Sequence, residues 1–187
     1  MDTEIGRVCP VERAGSLDNK LRKLFQNPVK ILSPYLKEGM KVLDIGCGPG
    51  FFSLEIAKTV GSNGKVFAVD VQEGMLQKLK GKIKDTSLEE TIFPLLSDDG
   101  DIPVTEKIDF VLAFYMVHEV TYKKKFFVQI HNILDADGKM LIVEPKFHVK
   151  PELFDKNLKI AEEEGFIIEK GPKIPFSLSA ILRKDDM

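Results

Sequence analysis

The sequence has few of the features that mark membrane, disulfide-linked or nucleic-acid-binding proteins. Its 187 residues include two cysteines, too few for a disulfide framework or a cysteine-rich zinc site, and no metal site is predicted. No apolar run approaches the roughly 20 residues of a membrane helix, and the first residues lack the pattern of a signal peptide. The net charge of −2 gives no basic surface for nucleic acid. We therefore expect a cytoplasmic protein without membrane or nucleic-acid partners; the composition favours no particular oligomeric state.

Apolar runs typical of strands covered on both faces alternate with segments of helical periodicity. The last two predicted strands are joined by a short link, which favours an antiparallel pair. Pro94 suits an edge strand, and Asp137-Gly138 is predicted to form a tight turn into the fifth strand. The pattern predicts an α/β fold with a doubly wound, mostly parallel sheet. The predicted strands lie at about residues 40–45, 65–69, 91–96, 108–114, 140–143, 166–168 and 178–182.

A glycine-rich turn at residues 46–50 follows the first strand and precedes a helix that begins near Phe52. Glycine lets the backbone turn sharply and lets a ligand approach where a Cβ atom would block it. A dinucleotide site needs Gly-x-Gly-x-x-Gly with a pyrophosphate at the helix start. Here the third glycine, Gly50, comes one residue early. Asp44, inside the strand at the mouth of the turn, would repel a pyrophosphate and suits an ammonium or sulfonium group.

This turn resembles the first motif of the class I S-adenosylmethionine-dependent methyltransferases, in particular small enzymes of the methyltransferase type 11 kind. The matching run is Asp44-Ile45-Gly46-Cys47-Gly48-Pro49-Gly50. The resemblance covers about residues 40–184. It implies a Rossmann-like, seven-stranded sheet ending in a C-terminal antiparallel hairpin. It also implies the cofactor S-adenosyl-L-methionine, with S-adenosyl-L-homocysteine as the product.

The resemblance assigns cofactor contacts to four loops at the carboxyl ends of the strands. Asp44 would hold the methionine amino group, the glycine turn would lie under the methionine and ribose, and Asp70 would accept hydrogen bonds from the ribose hydroxyls. The second-strand loop would flank the adenine, and Asp98 is the preferred contact to the adenine amino group. The implied cofactor-binding residues are Asp44, Gly46, Cys47, Gly48, Pro49, Gly50, Phe51, Asp70, Val71, Met75, Ser97, Asp98, Asp99, Ala113 and Phe114.

Each assignment has a structural alternative. A glycine-rich turn can join a strand to a helix without binding a ligand. Asp70 can cap a helix, and Asp98 can be an ordinary turn residue. The order and spacing of the whole set favour the cofactor site.

Methyl transfer depends largely on positioning, and a general base is needed only when the acceptor arrives protonated. His118, Tyr115 and Glu119 follow the fourth strand and are the catalytic candidates. His118 has a pKa suited to a base near neutral pH, although a buried, hydrogen-bonded histidine is an equally ordinary interpretation. Glu144, at the end of the fifth strand, also points towards this site.

Residues 1–39 precede the shared domain at 40–187 and are predicted to form an arm with short helices that acts as a lid over the pocket. Asp18 could cap the first of these helices, and Asn27-Pro28 predicts the start of the second, which carries Val29, Ile31 and Leu32. A later helix, from about residue 122 to 134, is predicted to face Tyr122 inward.

We expect an S-adenosylmethionine-dependent methyltransferase that acts on a small molecule, because the sequence has no basic tract, recognition domain or long insertion. Three alternatives stay open: a methyltransferase of a protein or RNA, a cofactor-binding module without turnover, and a nicotinamide oxidoreductase. The glycine spacing and Asp44 argue against the last of these.

Overall fold

The protein is described by a computed structural model that covers residues 25–98 and 101–185. Helices and strands alternate through most of this part of the chain, and a 3₁₀ turn at Val117–Glu119 follows the fourth strand. In chain order the elements are α1 (Pro28–Leu32), β1 (Lys41–Ile45), α2 (Ser53–Val60), β2 (Lys65–Asp70), α3 (Glu73–Ile83), β3 (Ile92–Leu96), β4 (Ile108–Phe114), α4 (Lys123–Ile133), β5 (Leu134–Pro145), α5 (Pro151–Glu163), β6 (Phe166–Lys170) and β7 (Ser177–Lys184).

The seven strands form one sheet in the order β3-β2-β1-β4-β5-β7-β6. The first five strands pair in parallel, whereas β7 runs antiparallel to both β5 and β6. Six strands therefore share one direction and β7 opposes them. The predicted doubly wound sheet with a C-terminal antiparallel hairpin is confirmed, and Pro94 lies in the edge strand β3 as predicted.

Helices cover both faces of the sheet, because successive side chains of a strand point to opposite sides. Along β4, Phe110 and Leu112 pack with the apolar residues of α1, α2 and α3. Val111 and Ala113 pack with those of α4 and α5 on the other face. All four side chains are fully buried, which explains why the central strands read as continuous apolar runs.

The order of the strands reverses between β1 and β4. Crossovers from β1 lead to β2 on one side, and the later strands build outward from β4 on the other. In open α/β sheets a ligand binds in the crevice beyond the carboxyl ends of the strands at such a reversal. Here Gly46 follows β1 and Tyr115 follows β4, so both predicted loops lie at this crevice.

The predicted start of the fifth strand is wrong. Asp137 and Gly138 lie within β5, which begins at Leu134. Ile108 of β4 pairs with Leu134, whereas Phe110 pairs with Lys139, so the extra residues form a bulge in the ladder. Asp137 and Gly138 thus lie in a bulge within β5 instead of a turn before it.

One side chain that was predicted to face inward, Tyr122, is exposed. Val29 is 54% exposed on α1, a helix that ends at Leu32, two residues before Pro34. Tyr122 is 61% exposed and immediately precedes α4. Ile31 and Leu32 are buried as the helical spacing indicates. The helix predicted after Asp18 lies outside the described residues.

None of the helices within 25–98 and 101–185 is long and apolar enough to cross a membrane.

Candidate cofactor and acceptor site

The three glycines of the turn after β1 all have positive φ angles, +72° at Gly46, +55° at Gly48 and +89° at Gly50. A Cβ atom on Gly46 would lie 2.7 Å from Met116 Cβ, and one on Gly50 would lie 2.5 Å from Leu79 Cδ1. A Cβ atom on Gly48 would meet no atom within 4 Å among the described residues. The outer two glycines therefore allow close packing, whereas the middle one leaves open space above the turn.

Asp70 ends β2 and binds the glycine turn directly. Its carboxylate accepts hydrogen bonds from the backbone N–H of Gly48, at 2.8 Å, and of Gln72, at 2.9 Å. Burial raises the pKa of Asp70, and these backbone hydrogen bonds act in the opposite direction. Since a carboxylate can accept about four hydrogen bonds, Asp70 retains acceptor capacity for a ligand.

Asp44 is buried under the turn and accepts a hydrogen bond of 2.5 Å from the Ser53 hydroxyl. Ser53 is the first residue of α2, and its contact with Asp44 is not among those predicted from the sequence. Its signal was present, because a serine at a helix start often places its hydroxyl beside polar groups there. The pair puts a carboxylate at the carboxyl end of β1.

Cys47 lies between the two acids as an inert thiol. Burial raises its pKa well above the ordinary value, and the negative charges of Asp44 and Asp70 raise it further. Because the thiolate is the reactive form, Cys47 is not a nucleophile near neutral pH. Cys9 lies outside the described residues.

The remaining predicted cofactor contacts differ in how much surface they offer. Val71 and Asp98 are exposed, whereas Phe51, Met75, Ala113 and Phe114 are buried in the core. The Ser97 hydroxyl donates to the carbonyl oxygens of Asp98 and Asp101, which shapes the loop after β3. Pro49 contributes its carbonyl oxygen to a hydrogen bond of 2.7 Å with Lys82 Nζ. Asp99 lies outside the described residues.

His118 and Glu144 form a close pair beside this crevice. Glu144 is fully buried. Its Oε1 accepts a hydrogen bond from the His118 backbone N–H at 3.1 Å, and its Oε2 lies 2.5 Å from the ring Nδ1. Burial lowers the pKa of His118, but the hydrogen bond and charge of Glu144 raise it more, so the net shift is upward. Glu119 is more distant, with Oε1 3.8 Å from His118 Nε2.

Tyr115 has a left-handed backbone, with φ at +63°. Such strain in a non-glycine residue is typical of functional sites. Its hydroxyl, however, is already engaged: it accepts from Gln26 Nε2 at 2.6 Å and lies 2.7 Å from Ser177 Oγ. The hydroxyl therefore links β4 to the start of β7.

Two exposed phenylalanine rings contact other aromatic side chains at this end of the sheet. Phe147 is 70% exposed and its ring contacts those of Tyr115 and His148. The His148 ring in turn stacks on His118, with 16° between the planes. Phe176 is 68% exposed and meets Phe25 edge-on. Exposed apolar surface of this kind often marks a ligand-binding site.

Comparison with known protein families identifies the family of this chain. A family model described as a methyltransferase domain matches residues 36–171.

The chain belongs to the methyltransferase domain family.

Two curated proteins are similar to this chain in sequence. The ubiquinone/menaquinone biosynthesis C-methyltransferase UbiE of Blochmanniella pennsylvanica is 28% identical over 121 residues, which cover 63% of this chain and 48% of the relative. The demethylmenaquinone methyltransferase of Lactobacillus johnsonii is 29% identical over 134 residues, which cover 71% and 53%. The chain spans about half the length of the curated relatives it matches.

Solved structures share the fold of the methyltransferase. A SAM-dependent methyltransferase from Aquifex aeolicus superposes with a TM-score of 0.83 at 27% identity, covering 94% of this chain and 98% of that one. A TehB-like methyltransferase from Corynebacterium glutamicum gives a TM-score of 0.74 at 18% identity, with 94% and 100% covered, which shows the fold alone. The resemblance to the class I S-adenosylmethionine-dependent methyltransferases is confirmed, and the oxidoreductase alternative receives no support.

The residues present fit the cofactor that the family implies, S-adenosylmethionine. The open space above Gly48 lets a ligand approach the backbone, and Asp70 beside it retains acceptor capacity. Asp44 supplies a buried negative charge near the end of β1. These observations suit a cationic nucleoside better than a diphosphate, which would face two carboxylates.

Proposed function

We propose that this chain transfers a methyl group from S-adenosyl-L-methionine to a small-molecule acceptor, and that His118 removes a proton from the acceptor. The observation that carries the proposal is the paired His118 and Glu144 beside the crevice at β1 and β4. Family membership accounts for the methyl transfer, and this pair supplies the base that a protonated acceptor requires.

The cofactor, when bound, supplies an electrophilic methyl group on a positively charged sulfur. Asp70 would accept hydrogen bonds from the ribose hydroxyls, and Asp44 would balance the charge of the methionine amino group. Gly48 would let the ligand lie against the backbone of the turn. Asp98 and Val71 are exposed at the same edge and are proposed to contact the adenine.

Glu144 orients His118 for proton transfer. An ionised carboxylate can only accept hydrogen bonds, so Nδ1 carries the proton that faces Glu144 and Nε2 is left as an acceptor. The buried negative charge also stabilises the protonated ring that forms after the transfer. His118 is partly exposed at this point, with 21% of its side chain accessible, so an acceptor can reach the ring.

Two observations support a small-molecule acceptor. The curated relatives are named for ubiquinone and menaquinone biosynthesis, although they are about twice as long as the matched part of this chain. The exposed ring of Phe147 contacts His148, which stacks on His118, and offers apolar contact to a small acceptor. A protein or RNA acceptor and a module without turnover are the alternatives that the experiment below separates.

The N-terminal arm is proposed to close over this site as a lid. Phe25 and Gln26 are the first residues of the arm that the structure describes. Gln26 donates to the Tyr115 hydroxyl, and Phe25 contacts Phe176. Removal of residues 1–24 should raise the KM for the acceptor and leave S-adenosylhomocysteine affinity unchanged. Unchanged kinetics in the shortened chain would contradict the lid.

Calorimetry followed by a labelling assay tests the proposed function. S-adenosylhomocysteine should bind and NADH should not; the reverse result would remove the cofactor assignment. The protein is then incubated with methyl-labelled cofactor and cell extract, and the products are separated by size. Label on small molecules supports the proposal, and label only on macromolecules favours the protein or RNA alternative. Cofactor binding without any labelled product favours a binding module.

A further inference from the structure

A groove of about 600 Å³ lies between the N-terminal parts of α4 and α5, on the sheet face opposite the glycine turn. Its walls combine lysine side chains with exposed or half-buried apolar groups, and neither the glycine turn nor the His118–Glu144 pair contributes to it. The groove therefore shares no lining residue with the candidate cofactor and acceptor site, although the charges of Lys123 and Glu144 attract each other.

The groove contains a buried polar side chain with an unmet hydrogen-bonding need. Asn157, on the inward side of α5, is 3% exposed, and its Nδ2 atom has no hydrogen-bond partner among the described residues. A buried amide without a partner costs about 1–3 kcal/mol. Such a group is rare in a native structure and calls for an explanation, such as a ligand that accepts its hydrogen bond.

Positive charge is concentrated at the same place. The first turn of α4 contains Lys123 and two further lysines, no acidic residue and no side-chain cap from Tyr122. Cations at the positive end of a helix dipole are unfavourable there, whereas an anion is favourable. Lys156 of α5 forms no ion pair within the described ranges and lies close enough to Lys123 for their charges to repel.

The other lysines of the first turn already have partners. Lys124 pairs with Glu164 at 3.1 Å, and Lys125 pairs with Asp101 at 2.8 Å. Lys123 donates to the Val120 carbonyl oxygen at 2.8 Å; Glu144 attracts its charge, but no carboxylate of residues 25–98 and 101–185 forms an ion pair with it. Lys123 and Lys156 are thus the groove lysines that form no ion pair within the described ranges, and both line the groove with Asn157.

We infer that this groove binds a small organic anion, with its anionic group held by Lys123, Lys156 and Asn157. The apolar body of the ligand packs on Tyr122, Leu153 and Ile160, which line the rest of the groove. Tyr122 and Leu153 are exposed without a ligand, 61% and 42%, so they have surface to bury. Binding of an anion would also relieve the repulsion between the two lysines.

The test uses phenyl phosphate as the probe and the full chain, with binding followed by calorimetry and no methyl transfer, so it does not depend on the proposed function. Phenyl phosphate should bind at one site, and benzyl alcohol, which has the ring without the charge, should not. Raising the ionic strength from about 0.05 M to about 0.5 M should weaken binding several-fold, because salt screens exposed charges. Equal affinity for benzyl alcohol would overturn the inference.

Two variants and a matched control localise the site. Lys156→Met should weaken phenyl phosphate binding about fivefold, the effect of one partly exposed charge pair. Lys159→Met removes the same charge from an exposed position on α5 outside the groove and should change nothing. An equal loss in both variants would show non-specific attraction and overturn the site.

Asn157→Leu separates a ligand-binding role from a purely structural one. Leucine has a similar volume and no unmet polar atom, so the thermal midpoint should stay the same or rise. Phenyl phosphate binding should nevertheless fall at least about tenfold, because a hydrogen bond to a charged group is lost. Unchanged binding in a folded Asn157→Leu protein would contradict the inference.

Discussion

The His118 ring and the Glu144 carboxylate meet across 26 residues of chain, with Nδ1 2.5 Å from Oε2. Glu144 is fully buried at the end of β5, where an ionised carboxylate without partners would be costly. The His118 backbone N–H and ring both bind the Glu144 carboxylate and so lower that cost. The pair therefore stabilises the loop after β4 and at the same time presents an oriented imidazole to the crevice.

Replacement of His118 by glutamine should lower kcat by a factor of about 10² to 10⁴, the usual contribution of a general base. Glutamine can still donate to Glu144, so the fold should be preserved. S-adenosylhomocysteine affinity, measured by calorimetry, should not change. His131→Gln on α4 is the control and should keep full activity. A His118→Gln enzyme with wild-type kcat would exclude the histidine as the base.

The pH dependence of the reaction should report the raised pKa of His118. The base is active when neutral, so kcat/KM should rise with pH through a limb that lies above the ordinary histidine pKa of about 6.5. Glu144→Gln removes the charge that raises this pKa, and the limb should move to lower pH. A limb that keeps its position in Glu144→Gln would contradict the pairing as its cause.

The same shift makes a prediction for stability. A raised pKa in the folded state means that the protonated ring is favoured there, so its stabilisation is fully present below about pH 6.5. That stabilisation is lost as pH rises through the folded pKa. The free energy of unfolding, from denaturant titrations across this range, should decline in the wild type relative to His118→Gln. Parallel stability curves for the two proteins would refute this.

Alanine at Gly48 and at Gly50 should affect different properties. Gly48→Ala places a left-handed alanine in open space, which should cost about 1 kcal/mol of stability but block the ligand. Gly50→Ala adds a clash with the buried Leu79 and should cost about 2–4 kcal/mol. Thermal unfolding and S-adenosylhomocysteine titrations distinguish the two. Normal cofactor binding by a folded Gly48→Ala protein would show that the turn is not the cradle.

Asp70→Ala should weaken S-adenosylhomocysteine binding at least about tenfold, because hydrogen bonds to a charged group contribute about 1.5–3 kcal/mol each. The change also removes the acceptor of the hydrogen bond that the Gly48 backbone N–H donates to Asp70. Asp155→Ala, at an exposed position on α5, is the control for loss of one negative charge. Equal affinities for the Asp70→Ala and wild-type proteins would place the ribose elsewhere.

Tyr115→Phe should lower the free energy of unfolding by about 1 kcal/mol, because the hydroxyl bonds to Gln26 and Ser177 are lost. Turnover should stay within a few-fold of the wild type, since the hydroxyl is engaged by the protein. Chemical denaturation and initial rates measure the two effects. A large loss of kcat with unchanged stability would return Tyr115 to the catalytic candidates.

The sequence pattern predicted the bounds of an element correctly where the residues of that element alone decide them. The bounds of β4 follow from a continuous apolar run, and the structure reproduces them as predicted. The pattern failed at Asp137-Gly138, which lies in a bulge of β5 between the paired residues Leu134 and Lys139. It failed again at Tyr122, because periodicity places a side chain on a helix face but does not show what covers that face.

The sequence by itself determined the α/β class, the methyltransferase resemblance and the identity of the acids, glycines and histidine around the crevice. Each of these depends on residue type and on spacing along one short segment. Only the tertiary structure decided that Asp70 holds Gly48, that Ser53 faces Asp44 and that Glu144 orients His118. The physical reason is that these contacts join different loops, and a hydrogen bond depends on positions in space that only the packed sheet sets.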